Sequence, residues 1–187
     1  MIYSSRFTCV IDTCVLHPLH VRDLILWFAY SGLFVPKWSK HIFDEWRELM
    51  FRKKVPKKEI NHRIDSVLNG FPDAMVTNYE THIVSLTGIN KKDRHVLAAA
   101  IKINASLIVT NNLKDFPKDY LESFGLYAKS AADFLVDIIG LHDEEAIKAF
   151  RMMVVNRRNP SINEHEMLDI LRNNGLKDTA DYIHALI

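Results

Sequence analysis

Four acidic residues lying far apart in the chain, Asp12, Glu45, Asp93 and Asp115, have the types and local settings of a divalent-metal site. Asp12 closes the apolar run Phe7-Thr8-Cys9-Val10-Ile11, and Asp115 lies just past a second one, Leu107-Ile108-Val109. Glu45 comes three residues after Ile42 and four before Leu49, which puts it at the edge of an apolar helical face. Asp93 precedes the helical pattern Val96-Leu97-Ala98-Ala99-Ala100. Hard oxygen donors with no Cys or His among them suit Mg2+ or Mn2+ better than zinc. An ion held there can activate water and neutralise charge on a phosphodiester, so the chemistry indicated is phosphate-ester hydrolysis. Asp12, Asp93 and Asp115 are expected to hold the ion, with Glu45 on a second ion or orienting the attacking water. Taken singly, Asp12 and Asp115 also read as turn aspartates and Asp93 as a complement to a helix N-terminus. Joint placement at the carboxyl ends of parallel strands is what favours a site. Four close carboxylates repel one another, so at least one should have a raised pKa, and activity should fall in acid.

The elements that would position these acids alternate between strand and helix. Short β-branched apolar runs at Phe7–Ile11, Leu33–Pro36 and Leu107–Val109 predict buried parallel strands, with weaker ones at Ala74–Val76 and Leu126–Ala128. Helical patterns lie between them: Leu24 to Phe28 before Gly32, Ile42 to Met50 after an N-cap Ser39, and Val96 to Ile103. This order predicts an α/β doubly wound sheet of about five parallel strands in three layers. Beyond about Ser130 no further strand is visible; helices are predicted over 131–139, 144–155, 163–174 and 179–187, the third ending at Gly175. The expected division is therefore residues 1–130 and a helical extension, 131–187.

The chain has 187 residues, 48% hydrophobic and 25% charged, enough to bury a substantial core. Lys+Arg 24 against Asp+Glu 23 leaves a net charge of +1, so any nucleic-acid affinity must come from local patches. Such patches exist. Arg52-Lys53-Lys54-Val55-Pro56-Lys57-Lys58 is strongly basic, and Lys91, Lys92, Arg94, Lys114 and Lys118 flank Asp93 and Asp115. The run from Arg52 reads equally well as a solvated helix junction. Two cysteines, Cys9 and Cys14, are too few for a disulfide framework and predict reduced thiols and a cytoplasmic location. No run is long and apolar enough for a membrane span.

Four segments together resemble the PIN domain family, and within it the VapC-like toxin ribonucleases of toxin–antitoxin pairs. They are Val10-Ile11-Asp12-Thr13-Cys14-Val15-Leu16, Phe43-Asp44-Glu45-Trp46, Lys92-Asp93-Arg94-His95-Val96-Leu97-Ala98-Ala99-Ala100 and Ile108-Val109-Thr110-Asn111-Asn112-Leu113-Lys114-Asp115-Phe116. The resemblance covers about residues 6–130. It implies a PIN-like fold, a Mg2+- or Mn2+-dependent endoribonuclease, an acidic cluster of Asp12, Glu45, Asp93 and Asp115, and polar neighbours at Thr110 and Asn111. Substrate contacts are expected at Thr110, Asn111, Lys92, Arg94 and Lys114. Implied partners are RNA and an antitoxin protein, with a homodimer suspected and no membrane. Many relatives carry aspartate where this chain has Asn112, which places more of the site's charge on Asp115. The helical tail is similar to an extension found on one subset of these toxins. The alternative is a catalytically inactive PIN-like module that binds RNA or protein.

Overall fold

The computed structural model describes residues 7–187. They fold into two compact units, one formed by the segment through His17 with Val35–Lys129, the other by Pro18–Phe34 with Ser130–Ile187.

The first unit is built on five strands, all parallel: β1 (Thr8–Ile11), β2 (Val35–Ser39), β3 (Met75–Val76), β4 (Leu107–Val109) and β5 (Tyr127–Lys129), in the order β3-β2-β1-β4-β5. Cys9, Val10 and Ile11 of β1 and Ile108 and Val109 of β4 are wholly buried. Strands covered on both faces carry such unbroken apolar runs, which is why these two were readable in the sequence. The chain steps from β1 to β2 and β3 on one side and to β4 and β5 on the other. Order therefore reverses between β1 and β4, and at such a point the strand ends diverge into a crevice.

β2 begins two residues later than the pattern Leu33–Pro36 predicts. Leu33 and Phe34 belong to the helical unit, where the Phe34 ring meets Phe134 edge-on at 4.9 Å. Pro36 nonetheless sits inside an interior strand. The Val35 N–H faces β1, donating to Phe7, and the Trp38 N–H faces β3, donating to Ala74. By alternation the missing Pro36 N–H would point to the β3 side, before β3 begins, so no ladder bond is lost there.

Seven helices follow from these strands or connect them: α1 (Thr13–Leu16), α2 (Leu19–Tyr30), α3 (Lys40–Arg52), α4 (Lys57–Gly70), α5 (Glu80–Ile83), α6 (Arg94–Lys102) and α7 (Lys118–Glu122). Ser39 caps α3 by accepting from the Ile42 N–H, an arrangement worth about 1 kcal/mol. Trp38 and Trp46 are fully buried, as their apolar neighbours suggest. The basic run from Arg52 proves to be the α3–α4 junction, its Arg and Lys side chains exposed and Lys54 in the left-handed region at φ 60°. α6 packs against β1, β2 and β4, with Val96 to Ala100 buried. Its alanines let the helix approach the sheet closely.

In the second unit α2 packs on α9 (Asp143–Asn156) and α10 (Glu164–Asn173), while α8 (Ala131–Leu141) packs on α9 and α11 (Lys177–Leu186). Asn163 and Glu166 form a reciprocal capping box at the start of α10. Gly175, just beyond it, has φ 84°, a conformation that favours glycine. A boundary at residue 130 follows the change from mixed to helical pattern; in space, α2 is gathered with the helices that come after it. No helix among the described residues is long and apolar enough to cross a membrane.

Candidate active site

The carboxyl ends of β1 and β4 carry Asp12 and Thr110 side by side. Asp12 is 6% exposed, a degree of burial at which a carboxylate needs donors on both oxygens. It has them: the Thr13 N–H donates to Oδ1 at 2.6 Å, and the Thr110 hydroxyl to Oδ2 at 2.7 Å. The Cys14 thiol donates to the same Oδ2 at 3.1 Å. Burial, reinforced by the Asp12 charge, pushes the Cys14 thiol up to about 12, so it stays protonated and acts as a donor. Cys14 also accepts the Asn111 N–H at 3.2 Å, and Thr110 Oγ1 accepts that of Asn112 at 3.1 Å. Thr110 was expected to meet substrate, but it is completely buried and its hydroxyl is spent on Asp12. Asn111, the next residue, is exposed. Cys9 and Cys14 are both free thiols.

Glu45 projects from α3 toward the same edge. Its Oε2 accepts the Thr13 hydroxyl at 2.6 Å, and its Oε1 lies 3.1 Å from His95 Nε2. Burial alone would raise its pKa; hydrogen bonds from His95 and Thr13 and the nearby His95 and His41 charges outweigh that and hold it below the ordinary range. The His95 ring is buried and lies 5.3 Å from that of His41, whose Nδ1 is 2.5 Å from the hydroxyl of the buried Tyr79. His95 and Tyr79 are therefore committed to contacts inside the protein.

Asp93 stands at the N-cap position of α6, yet its side chain caps nothing. Its place agrees with the helix-start reading of this residue, although no capping hydrogen bond is formed. Its Oδ2 is buried and accepts none, the closest cation being the Lys92 ammonium at 3.8 Å. Burial raises the Asp93 pKa; Lys92 opposes this, and the charges of Asp115 and Asp12 add to it. Asp115 ends the 3-10 turn Leu113–Asp115 and pairs with Lys92 at 3.3 Å. The hydrogen bond to Asp115 and the charges of Asp93 and Asp115 keep Lys92 firmly protonated. Arg94 turns its Nε to the Ile89 carbonyl at 3.2 Å, and Lys114 is exposed.

The four acids are thus linked through their neighbours and their charges. Glu45 is tied to the residues next to Asp12 and two beyond Asp93, while Asp93 feels the charges of both Asp12 and Asp115. They are not drawn into a closed shell: among the described residues no three His, Cys, Asp or Glu side chains are grouped so as to hold a metal ion. The donor chemistry still fits a hard divalent cation. The candidate ligands Asp12, Asp93 and Asp115 are all carboxylates, a buried oxygen of Asp93 accepts no hydrogen bond, and the positive charge between Asp93 and Asp115 is supplied by an exposed lysine. Thr13, Cys14 and His41 were not foreseen. The dipeptide after Asp12 carried the only usable signal, two small polar side chains at a buried strand end.

Residues 131–185 match the family model described as the VapC50 C-terminal domain. The chain is 40% identical over 107 residues to the protein described as "Putative ribonuclease VapC50" from Mycobacterium tuberculosis (strain ATCC 25618 / H37Rv). That stretch covers 57% of this chain and 62% of the relative, so the similarity spans under two thirds of the relative's length. No solved structure matches the chain. Both similarities agree with the VapC-like resemblance read from the sequence.

Proposed function

We propose that this protein is a metal-dependent endoribonuclease and the toxin of a toxin–antitoxin pair. The observation that carries the reading is Asp93: a half-buried carboxylate whose Oδ2 is buried and accepts no hydrogen bond, with the Lys92 ammonium 3.8 Å away, in the shared field of Asp12 and Asp115. Asp12, Asp93 and Asp115 would hold Mg2+ or Mn2+. When bound, such an ion supplies Lewis acidity toward the scissile phosphate and favours ionisation of water. Thr110, Thr13 and Cys14 fix the orientation of Asp12. Glu45, held below the ordinary carboxylate range, stays ionised at neutral pH and can orient the attacking water through hydrogen bonds. Lys92 lies on Asp93 and Asp115, and Arg94 and Lys114 adjoin these acids in sequence; such positive charge is what an RNA backbone needs in order to approach them. Residues 131–187 are proposed as an appended domain, and an antitoxin is proposed as the protein that blocks the acidic edge.

The test is incubation of purified protein with a mixed RNA pool, with manganese or with chelator, followed by mapping of the ends. Cleavage only with metal, leaving 5′-phosphates, is the expected result. Equal cleavage in chelator, or cyclic phosphates, would overturn the metal-dependent mechanism. For the toxin role, expression in a host lacking the partner should arrest growth, and harmless accumulation of active enzyme would contradict it.

The hydrogen bonding of two acids favours a second reading, a PIN-like module that binds without cutting. Asp12 and Glu45 already have protein donors on both oxygens and need no cation for their burial. Such a module would grip RNA equally well in chelator and leave it intact.

A further inference from the structure

A groove of about 430 Å³ runs beside the candidate site, between the segment around Asp115 and the end strand β5. Lys114 and Phe116, the two neighbours of Asp115 in sequence, both line it. Its floor is apolar, with Phe116 and Leu126 buried, while Leu113 and Tyr127 on its walls are 41% and 55% exposed. The lining includes three lysines and no carboxylate. Lys114 is exposed; Lys118 lies 3.7 Å from Glu122, a helical i,i+4 pair on the surface. Surface pairs of this kind are worth little and yield readily to a phosphate.

Size, polarity and charge select the occupant. The volume is in the range of small-ligand sites, and an apolar floor with an exposed aromatic wall takes a flat π-face. A cationic rim without acids calls for a polyanion attached to that face. A peptide adding to β5 would find a strand of only three residues and no compensating charge unless it were acidic. Tyr127 is opposite Leu107 and Lys129 opposite Val109, so the groove descends from the acidic edge along β5 by about 7 Å.

We propose that this groove receives one unstacked base of single-stranded RNA, with Tyr127 as the stacking face and Lys114 and Lys118 on the adjoining phosphates. The proposal rests on the ribonuclease reading and adds to it a subsite for a nucleotide flanking the scissile bond. The phosphate next to the seated base lies on the Asp115 side, where Lys114 lines the groove and Lys92 pairs with Asp115.

Binding of a labelled, mixed-sequence single-stranded RNA decamer is measured by fluorescence anisotropy in EDTA, beside manganese-dependent cleavage of the same RNA. Tyr127→Ala should weaken binding and raise KM about tenfold, whereas Tyr127→Phe, which keeps the ring, should stay within about twofold. Tyr127→Leu, which keeps apolar bulk for the strand, should behave like Tyr127→Ala. The double variant Lys114→Gln, Lys118→Gln should flatten the dependence of log affinity on log salt by about 1.4, at roughly 0.7 for each phosphate of a single strand left without its lysine. If wild-type protein binds and cleaves RNA while Tyr127→Ala and Tyr127→Leu match it, the groove is not a base site and the ribonuclease reading stands. If those variants lose a protein partner and keep RNA affinity, the surface is a protein interface and the proposal falls. If wild-type protein neither binds nor cleaves RNA, both readings fall together.

Discussion

The acidic edge has two unlike halves. Asp12 and Glu45, from β1 and α3, are held on both oxygens by Thr13, Thr110, Cys14 and His95. Asp93 and Asp115, from the start of α6 and the turn after β4, share only the exposed Lys92, and Asp93 Oδ2 accepts no hydrogen bond. The first half is preorganised: its donors come from the residues that follow β1 and β4 and from His95 on α6. The second shares one ammonium between two half-buried carboxylates and leaves one buried oxygen without a hydrogen bond, an arrangement that costs free energy. One pair thus has its geometry held by protein donors, and the other is the pair at which the proposed cation would bind.

Substituting one acid from each half should separate them most clearly. Asp12→Asn and Asp93→Asn should each lower RNA cleavage at least about a hundredfold. Their stabilities should diverge. At position 12 the new amide would face donors from Thr13 and Thr110, costing about 1–3 kcal/mol and lowering Tm by several degrees, whereas Asp93→Asn relieves a desolvated charge and should leave Tm unchanged or higher. Equal losses of Tm in a calorimetric scan would erase the distinction between the halves.

Thr110→Val is nearly isosteric and probes the preorganised half alone. It should cost about 1–3 kcal/mol by leaving a buried carboxylate oxygen short of a donor, and reduce cleavage roughly 10–100-fold with manganese affinity falling in parallel. Unaltered cleavage would show that Asp12 does not depend on this hydroxyl.

The halves should also answer pH with opposite sign in metal-free protein. Glu45 is lowered in the folded state, so its contribution is present above the ordinary glutamate value and is lost as pH falls through its lowered value. Asp93 is raised, so the folded state holds its proton more tightly than the unfolded chain. Its ionised form is a liability above the raised value, and that liability is relieved as pH falls toward the ordinary aspartate value. Glu45→Gln should therefore flatten the acid loss of Tm, and Asp93→Asn should steepen it. Both variants tracking the wild-type curve in parallel would contradict the assigned shifts. Cleavage should fall in acid because a protonated Asp93 cannot accept a cation.

The smallest effect belongs to Lys92. An exposed pair contributes little to stability, so Lys92→Met should leave Tm within about a degree or two. Manganese should bind more tightly once the competing ammonium is gone, while KM for RNA should rise. Weaker manganese binding would mean that Lys92 does not compete for Asp93 and Asp115.

The sheet was legible because β1 and β4 are covered on both faces and so read as unbroken apolar runs; Ser39 likewise announced α3. The α2 segment was read correctly as a helix, but its gathering with α9 and α10 depends on contacts more than 100 residues away, which no local pattern encodes. The four acids could be named because their strand ends and helix positions fall together along a parallel sheet, although a strand-end or helix-start aspartate taken singly is ordinary. Their partners were harder. Thr110 is expected to face substrate until burial shows its hydroxyl on Asp12, and no local pattern shows that α6 turns His95 onto Glu45. Tertiary packing, not sequence spacing, decides which way such short side chains face.

Whether the orphaned oxygen of Asp93 exists to bind metal can be read from calorimetric titration of Mn2+ into metal-free wild-type protein and Asp93→Asn. Saturable binding to wild type, weakening as pH falls, with little or none to the variant, is the expected result. Absence of binding to wild type, or equal binding to both, would contradict the proposal that Asp93 keeps its oxygen unpaired in order to hold a cation.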